Sequence, residues 1–270
     1  LISSFDQLKV FFRNYIHFYY RTKRFIGLVI FTLLVSSVVL VLQVSGYIPK
    51  SAVADGYASN FMQNIGVTVL LSAAFLGGDA IAQDFSSKTG LVILSQPVRR
   101  ETIMLGRFLA ALTATIGVAG VYYLASIAGL LVFFQFIPIS ILLSFLISIP
   151  FAAAALALAF LFSSIFKSGS AAIITTVLIM YLAFPTVQSL VGFLRIEPWF
   201  LLSYASEIIT AAIPSQYPPH QRDIPFQTQD GSFTLTTYIP YLWEGLIIMG
   251  SYLLITMLLT LILYQRREVK

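Results

Sequence analysis

Two histidines, eleven carboxylates and no cysteine are the usual metal ligands and acid–base groups that this 270-residue chain offers. His17 and His220 fall on opposite predicted sides of a membrane, so within one chain they cannot form a paired metal or proton-transfer site. Serines are plentiful, but none has a histidine partner that would make it a nucleophile. No glycine is followed by lysine, so the phosphate-cradling G-x-x-x-x-G-K-[ST] loop is missing. Asp79, in Gly77-Gly78-Asp79, allows two readings. One is a proton or cation site, since ionisable groups at membrane depth tend to be functional. The other is a carboxylate at the inner interface, hydrated or paired with a nearby Arg or Lys. Glu244 at the outer start of the last span poses the same choice. No catalytic, cofactor-binding or metal residue is assigned, and an enzyme is the class these residues fit worst.

The densest polar stretch is Gln83-Asp84-Phe85-Ser86-Ser87-Lys88-Thr89-Gly90-Leu91-Val92-Ile93-Leu94-Ser95-Gln96-Pro97-Val98-Arg99-Arg100-Glu101. Lys88 to Ser95 can form a short helix with Leu91, Val92, Leu94 and Ser95 near one side. Pro97 ends it, because proline disfavours helical geometry in the residue before it. A solvated loop does not need such an apolar cluster. The cluster suits either a groove on another protein or an interfacial helix lying on lipid, and the residues alone favour neither.

These residues must be positioned by apolar helices. The chain is 58% hydrophobic and 10% charged, with a mean hydropathy of +0.89, whereas soluble chains carry about 25% charge. A bilayer core about 30 Å thick needs roughly 20 helical residues. Six runs qualify, at about 25–44, 61–83, 103–134, 139–166, 171–191 and 242–264. Helices are expected because lipid cannot satisfy open backbone groups. The third and fourth runs exceed the bilayer, which predicts tilt or protrusion. Pro150 and Pro185 predict kinks in the fourth and fifth. Of the 16 Lys and Arg, all but Lys50, Arg195 and Arg222 fall in the segments before span one, between spans two and three and four and five, and after span six. The other side carries Asp55, Glu197, Glu207, Asp223, Asp230 and Glu244. The positive-inside rule puts both termini in the cytoplasm. The net charge of +5 is therefore topological, and nucleic acid is not an expected partner.

Residues 1–24 read as an amphipathic helix in the inner interface. Phe5, Leu8, Phe12, Tyr15 and Tyr19 recur at helical spacing, with the aromatic side toward the acyl chains. Span four contains an alanine-rich run, 152–159, that permits close helix approach. Residues 192–240 form the main outer loop. There Trp199, Leu202, Ser206, Ile209 and Ile213 recur at helical spacing until Pro214, predicting a re-entrant or interfacial helix too short to cross. Asp230-Gly231 between β-prone residues predicts a hairpin over 226–236. The expected fold is thus an all-α polytopic membrane protein, one transmembrane domain over 1–270.

The run from Gly78 to Arg107 resembles the type-2 ABC exporter permeases, of type V exporter-like fold. Pro97-Val98-Arg99-Arg100 and Leu105-Gly106-Arg107 match the family's pattern. Thr89-Gly90 reverses its usual Gly-Thr, and Gln83-Asp84 replaces its commoner acidic pair. The amphipathic start, six spans, polar loop at 84–102 and large last outer loop extend the likeness over nearly the whole chain. The resemblance implies a plasma-membrane subunit of an ATP-driven exporter. The helix between spans two and three would then be a coupling helix seated in a cytoplasmic ATP-binding subunit. By position that role falls to Phe85, Lys88, Thr89, Leu91, Val92 and Leu94, flanked by Arg99 and Arg100. It also implies two ATP-binding subunits, which hold the ATP and Mg while this chain binds no cofactor. A second permease, copy or paralogue, and an outer gate over Trp199–Ile213 complete the assembly. The alternatives are a secondary transporter and a nontransport assembly or immunity protein. A carrier is expected to show broken, charged midplane helices or an internal repeat, and the sequence shows neither.

Overall fold

The structure, a computed structural model, describes residues 4–47, 53–83, 99–228 and 231–266. Among the described residues, six helical stretches are long and apolar enough to cross a bilayer: Lys23–Val44, Ala54–Gly77, Arg100–Phe134, Ser140–Ile165, Gly169–Phe193 and Leu242–Arg266. The protein is therefore an α-helical chain of polytopic membrane character, and its described residues include a two-stranded hairpin. In chain order the elements are α1 (Ser4–Arg21), α2 (Lys23–Val44), α3 (Ala54–Met62), α4 (Ile65–Gly77), α5 (Arg100–Phe134), α6 (Ser140–Ile165) and α7 (Gly169–Val177). After a π-helical stretch, Leu178–Ala183, come α8 (Phe184–Phe193), α9 (Leu202–Ser206), α10 (Ile208–Ala211), β1 (Gln221–Thr228), β2 (Gly231–Tyr238) and α11 (Leu242–Arg266).

The bundle is built around α6. Every residue from Phe151 to Phe160 is buried, eight of them the alanine-rich run read from the sequence. Small side chains let neighbours approach closely. A Cβ added at Gly77 of α4 would sit 2.7 Å from Leu156 Cδ1 and 3.0 Å from Ala159 Cβ. α6 runs on through Pro150.

Span two starts earlier than its apolar run. Asp55, Ser59 and Asn60 masked a helix whose Tyr57, Ala58, Phe61 and Met62 are all buried. It breaks after Met62, where the Phe61 carbonyl accepts a hydrogen bond from the Tyr122 hydroxyl at 2.6 Å. In the fifth span the chain widens into the π-helical stretch just before Pro185. Proline lacks an amide donor and its ring crowds the preceding turn, and a wider turn relieves both. The third span has 35 residues, roughly 50 Å of helix, so it is longer than a bilayer is thick.

α1 differs from expectation. Its aromatic stripe packs on the first turns of α5 rather than facing outward. Tyr19 is buried, and Phe12, Tyr15 and Ile16 pack against the core. Gly106 makes this possible, since a Cβ there would lie 2.9 Å from Phe11 Cβ. The opposite face still exposes Val10 and Phe18.

The outer segment also departs from the single helix expected over Trp199–Ile213. Leu201 is extended (φ −102°, ψ 133°), so Trp199 lies in a turn ahead of α9 and is 65% exposed. α9 and α10 meet at Glu207, whose amide donates to the Tyr204 carbonyl at 3.1 Å in a tightened turn. β1 and β2 pair antiparallel from Gln221↔Tyr238 to Thr228↔Gly231. The hairpin is therefore longer than its signal, and the pairing places Gly231 in β2.

Candidate functional site

The helix ends that carry most of the basic residues meet at one end of the bundle. Arg24, at the start of α2, pairs with Asp79 just beyond α4. Of the two readings of Asp79, the structure thus has a carboxylate paired with arginine. Gly169 at the start of α7 leaves room for Asp79, whose Cβ would lie 2.6 Å from a Cβ there. Arg107 is 7% exposed; its guanidinium donates to the Ala80 carbonyl and, at 2.6 Å, to the Tyr15 hydroxyl. It also lies 4.6 Å from the Tyr15 ring centroid, a cation–π contact. The Ile81 and Ala82 amides donate to Ser163 Oγ of α6 at 2.9 and 3.0 Å.

These contacts fix the chain on either side of residues 84–98. Phe85, Lys88, Thr89, Leu91, Val92 and Leu94 lie outside the described residues. The flanking pair is described, and its members differ. Arg99 is the extended cap of α5, with an exposed side chain and a carbonyl that accepts from the Thr102 amide at 3.0 Å. Arg100 turns back into the molecule and donates to the carbonyls of Tyr264 (3.4 Å) and Gln265 (3.1 Å). These are last-turn carbonyls of α11, where a cation satisfies open acceptors and complements the helix dipole. Glu101 accepts from Gln265 Nε2 at 2.9 Å, closing the same seam.

The opposite end is acidic. Leu202, Ile209 and Ile213 are buried and Ser206 is half-buried, its hydroxyl donating to the Ser203 carbonyl at 2.6 Å. With Trp199 exposed, the five expected gate residues do not form one face. Four of them lie in a cap docked on the bundle. Ser144 of α6 donates to the Ile209 carbonyl at 2.7 Å, and Gly245 of α11 accommodates Ile208. Beneath the cap, Glu207 accepts from Gln188 Nε2 at 2.5 Å, and Ser203 donates to Gln188 Oε1 at 2.7 Å. Burial pushes the Glu207 carboxyl up to about 7, against the opposing pull of the Gln188 bond. These three residues line an open pocket of about 390 Å³ with Pro185, Ser206 and Tyr238.

Beside that pocket Glu197, His220 and Glu244 bring their ligand atoms within 4.8 Å of one another. The Tyr204 hydroxyl donates to Glu197 Oε1. Burial first, then this bond, raise the Tyr204 hydroxyl above its ordinary range and keep it a donor. Sequence reasoning missed the trio, because more than twenty residues separate each member from the next. His220 follows Pro218-Pro219, which marks a turn but not a ligand. No protein-family model and no curated protein sequence matches this chain.

Proposed function

We propose that the chain is the membrane-spanning subunit of an ATP-driven exporter, with hydrolysis carried out by a separate cytoplasmic subunit. The observation that carries this reading is the run from Gly78 to Arg107, whose Pro97-Val98-Arg99-Arg100 and Leu105-Gly106-Arg107 resemble the exporter permeases. The surroundings of that run support it. A surface that receives mechanical work needs rigid attachment to the helices it moves. Here the flanks of residues 84–98 are tied to α1, α6 and α11 through Arg107, Ser163 and Arg100. The basic end faces the cytoplasm in this reading, by the positive-inside rule.

In this mechanism the permease rocks between two arrangements. ATP-driven closure of two motor subunits favours one, and release of products restores the other. Leu91, Val92 and Leu94 fill the motor's groove while Arg99, exposed, meets its rim. A second permease, copy or paralogue, completes the pathway. The fifth span is a candidate face for it, since only 17% of its most apolar stretch is buried within the chain, against 67% for α6. The cap of α9 and α10 closes the outer side.

Purification from the native membrane tests the reading. A tagged chain should bring with it an ATP-hydrolysing subunit in equal number. A chain that moves its cargo in vesicles with no such companion refutes it. Orientation is checked separately: a cysteine at Asp230 should react with an impermeant thiol reagent from outside and one at Ser87 only from inside.

A further inference from the structure

The geometry points to a divalent-cation site, with zinc the best fit, formed by Glu197, His220 and Glu244 at the acidic end of the bundle. Each ligand comes from a different segment: the turn before α9, the chain just ahead of β1, and the first turn of α11. One carboxylate pair alone would be an ordinary surface feature. What distinguishes this cluster is the held imidazole.

His220 Nδ1 lies 2.8 Å from the Ile239 carbonyl, an acceptor that requires the proton on Nδ1. In the neutral ring the Nε2 lone pair then faces the carboxylates. A hydrogen bond from the far ring nitrogen to a carbonyl is the usual support of a metal-ligating histidine. The ring is further fixed by stacking on Tyr241, with centroids 4.7 Å apart and planes 5° from parallel. Nε2 sits 3.4 Å from Glu197 Oε1. Two ligands at about 2.0–2.1 Å from a tetrahedral zinc lie about 3.3 Å apart, so this edge already has the right length. The Glu244 oxygen, within 4.8 Å of the others, needs to close by at most about 1.5 Å. Glu244 is steadied by the Tyr241 amide, which donates to its Oε2 at 3.2 Å. The Tyr204 bond steadies Glu197. His220 and Glu197 side chains remain 27% and 32% exposed, so water can reach a fourth position.

Nitrogen and carboxylate oxygen together favour zinc over calcium or magnesium, which prefer all-oxygen shells. Bound there, the ion ties the turn before α9 and the base of the hairpin to the last span. The inference does not depend on the transport reading.

The full chain, stripped with chelator and reloaded with zinc sulfate in detergent, tests it. Metal analysis after desalting should find one zinc per chain, and zinc should raise the thermal transition. X-ray absorption of the loaded wild type should report an imidazole in an otherwise oxygen shell. His220→Ala and Glu244→Gln should each weaken binding at least roughly tenfold, while Glu207→Gln should bind as wild type does. A wild type that holds no zinc, an absorption spectrum without imidazole, or unchanged affinity in folded His220→Ala or Glu244→Gln overturns the proposal. In that event the trio is an ordinary surface cluster of one imidazole and two carboxyl groups. Because the spectrum is taken on the wild type, the test stands even if a variant fails to fold.

Discussion

The two ends of this bundle treat charge in opposite ways. At the basic end, three arginines are matched within the chain. Arg24 has Asp79, Arg107 has the Ala80 carbonyl and the Tyr15 hydroxyl, and Arg100 has the last carbonyls of α11. At the acidic end, carboxylates crowd one another: Glu197 beside Glu244 with the His220 imidazole, and Glu207 under the cap in an amide and hydroxyl network. A matched end holds its shape whatever the surroundings. An end with surplus negative charge responds to protons or cations, because burying an uncompensated carboxylate is costly. The first arrangement suits a fixed mounting, and the second suits a cap whose stability depends on what it binds.

The largest expected effect comes from breaking the matched end at a buried cation, Arg107. Arg107→Met should cost about 3 kcal/mol, since it strands the Ala80 carbonyl and the Tyr15 hydroxyl and removes a cation–π contact. Thermal unfolding in detergent measures this. A loss below about 0.5 kcal/mol would mean that this end is not held by Arg107. The next effect sharpens the acidic side. Glu207 holds its proton more tightly folded than unfolded, so its stabilising contribution is complete below the ordinary carboxyl value of 4.5. It declines as pH rises and is gone above about 7. Across that window the chain should lose at most about 2 kcal/mol through this group, after allowance for its partial exposure. Glu207→Gln should flatten that part of the profile, and a profile unchanged by the substitution would show that the carboxyl is not desolvated. The smallest effect belongs to the Arg24–Asp79 pair. Arg24 is 46% exposed, so Asp79→Asn should cost no more than about 1 kcal/mol, and less at high salt. A much larger loss would reopen Asp79 as an ion site.

What could be read in advance followed the length scale of each signal. Spans of twenty apolar residues stand out because hydrocarbon thickness alone sets them, and the alanine run of α6 announced its close packing. Signals that depend on a partner were not legible. The stripe of Phe12, Tyr15 and Tyr19 suits lipid or protein equally, and only the approach of Gly106 shows that it meets α5. Asp55 and Ser59 hid the start of span two because their polarity is satisfied off the buried face, where Ser59 donates to the Asp55 carbonyl and Ser215 to the Asp55 carboxylate. The stripe from Trp199 to Ile213 has helical spacing, but an extended Leu201 breaks it into a turn and two short helices. Arg100 looked like half of a basic pair beside Arg99, yet it serves the end of α11. The acidic trio needed the return of a hairpin and the start of a span to bring its members together.

The central claim is that Leu91 and Leu94 transmit work from an ATP-hydrolysing companion. The most direct measurement is ATP hydrolysis in material purified from native membranes, comparing wild type with the double variant Leu91→Asp, Leu94→Asp. A carboxylate forced into a dry apolar contact costs several kcal/mol. The variant should therefore insert and unfold as wild type does while losing the companion and its hydrolysis. If the double variant retains both at wild-type levels, the coupling role assigned to these residues is wrong.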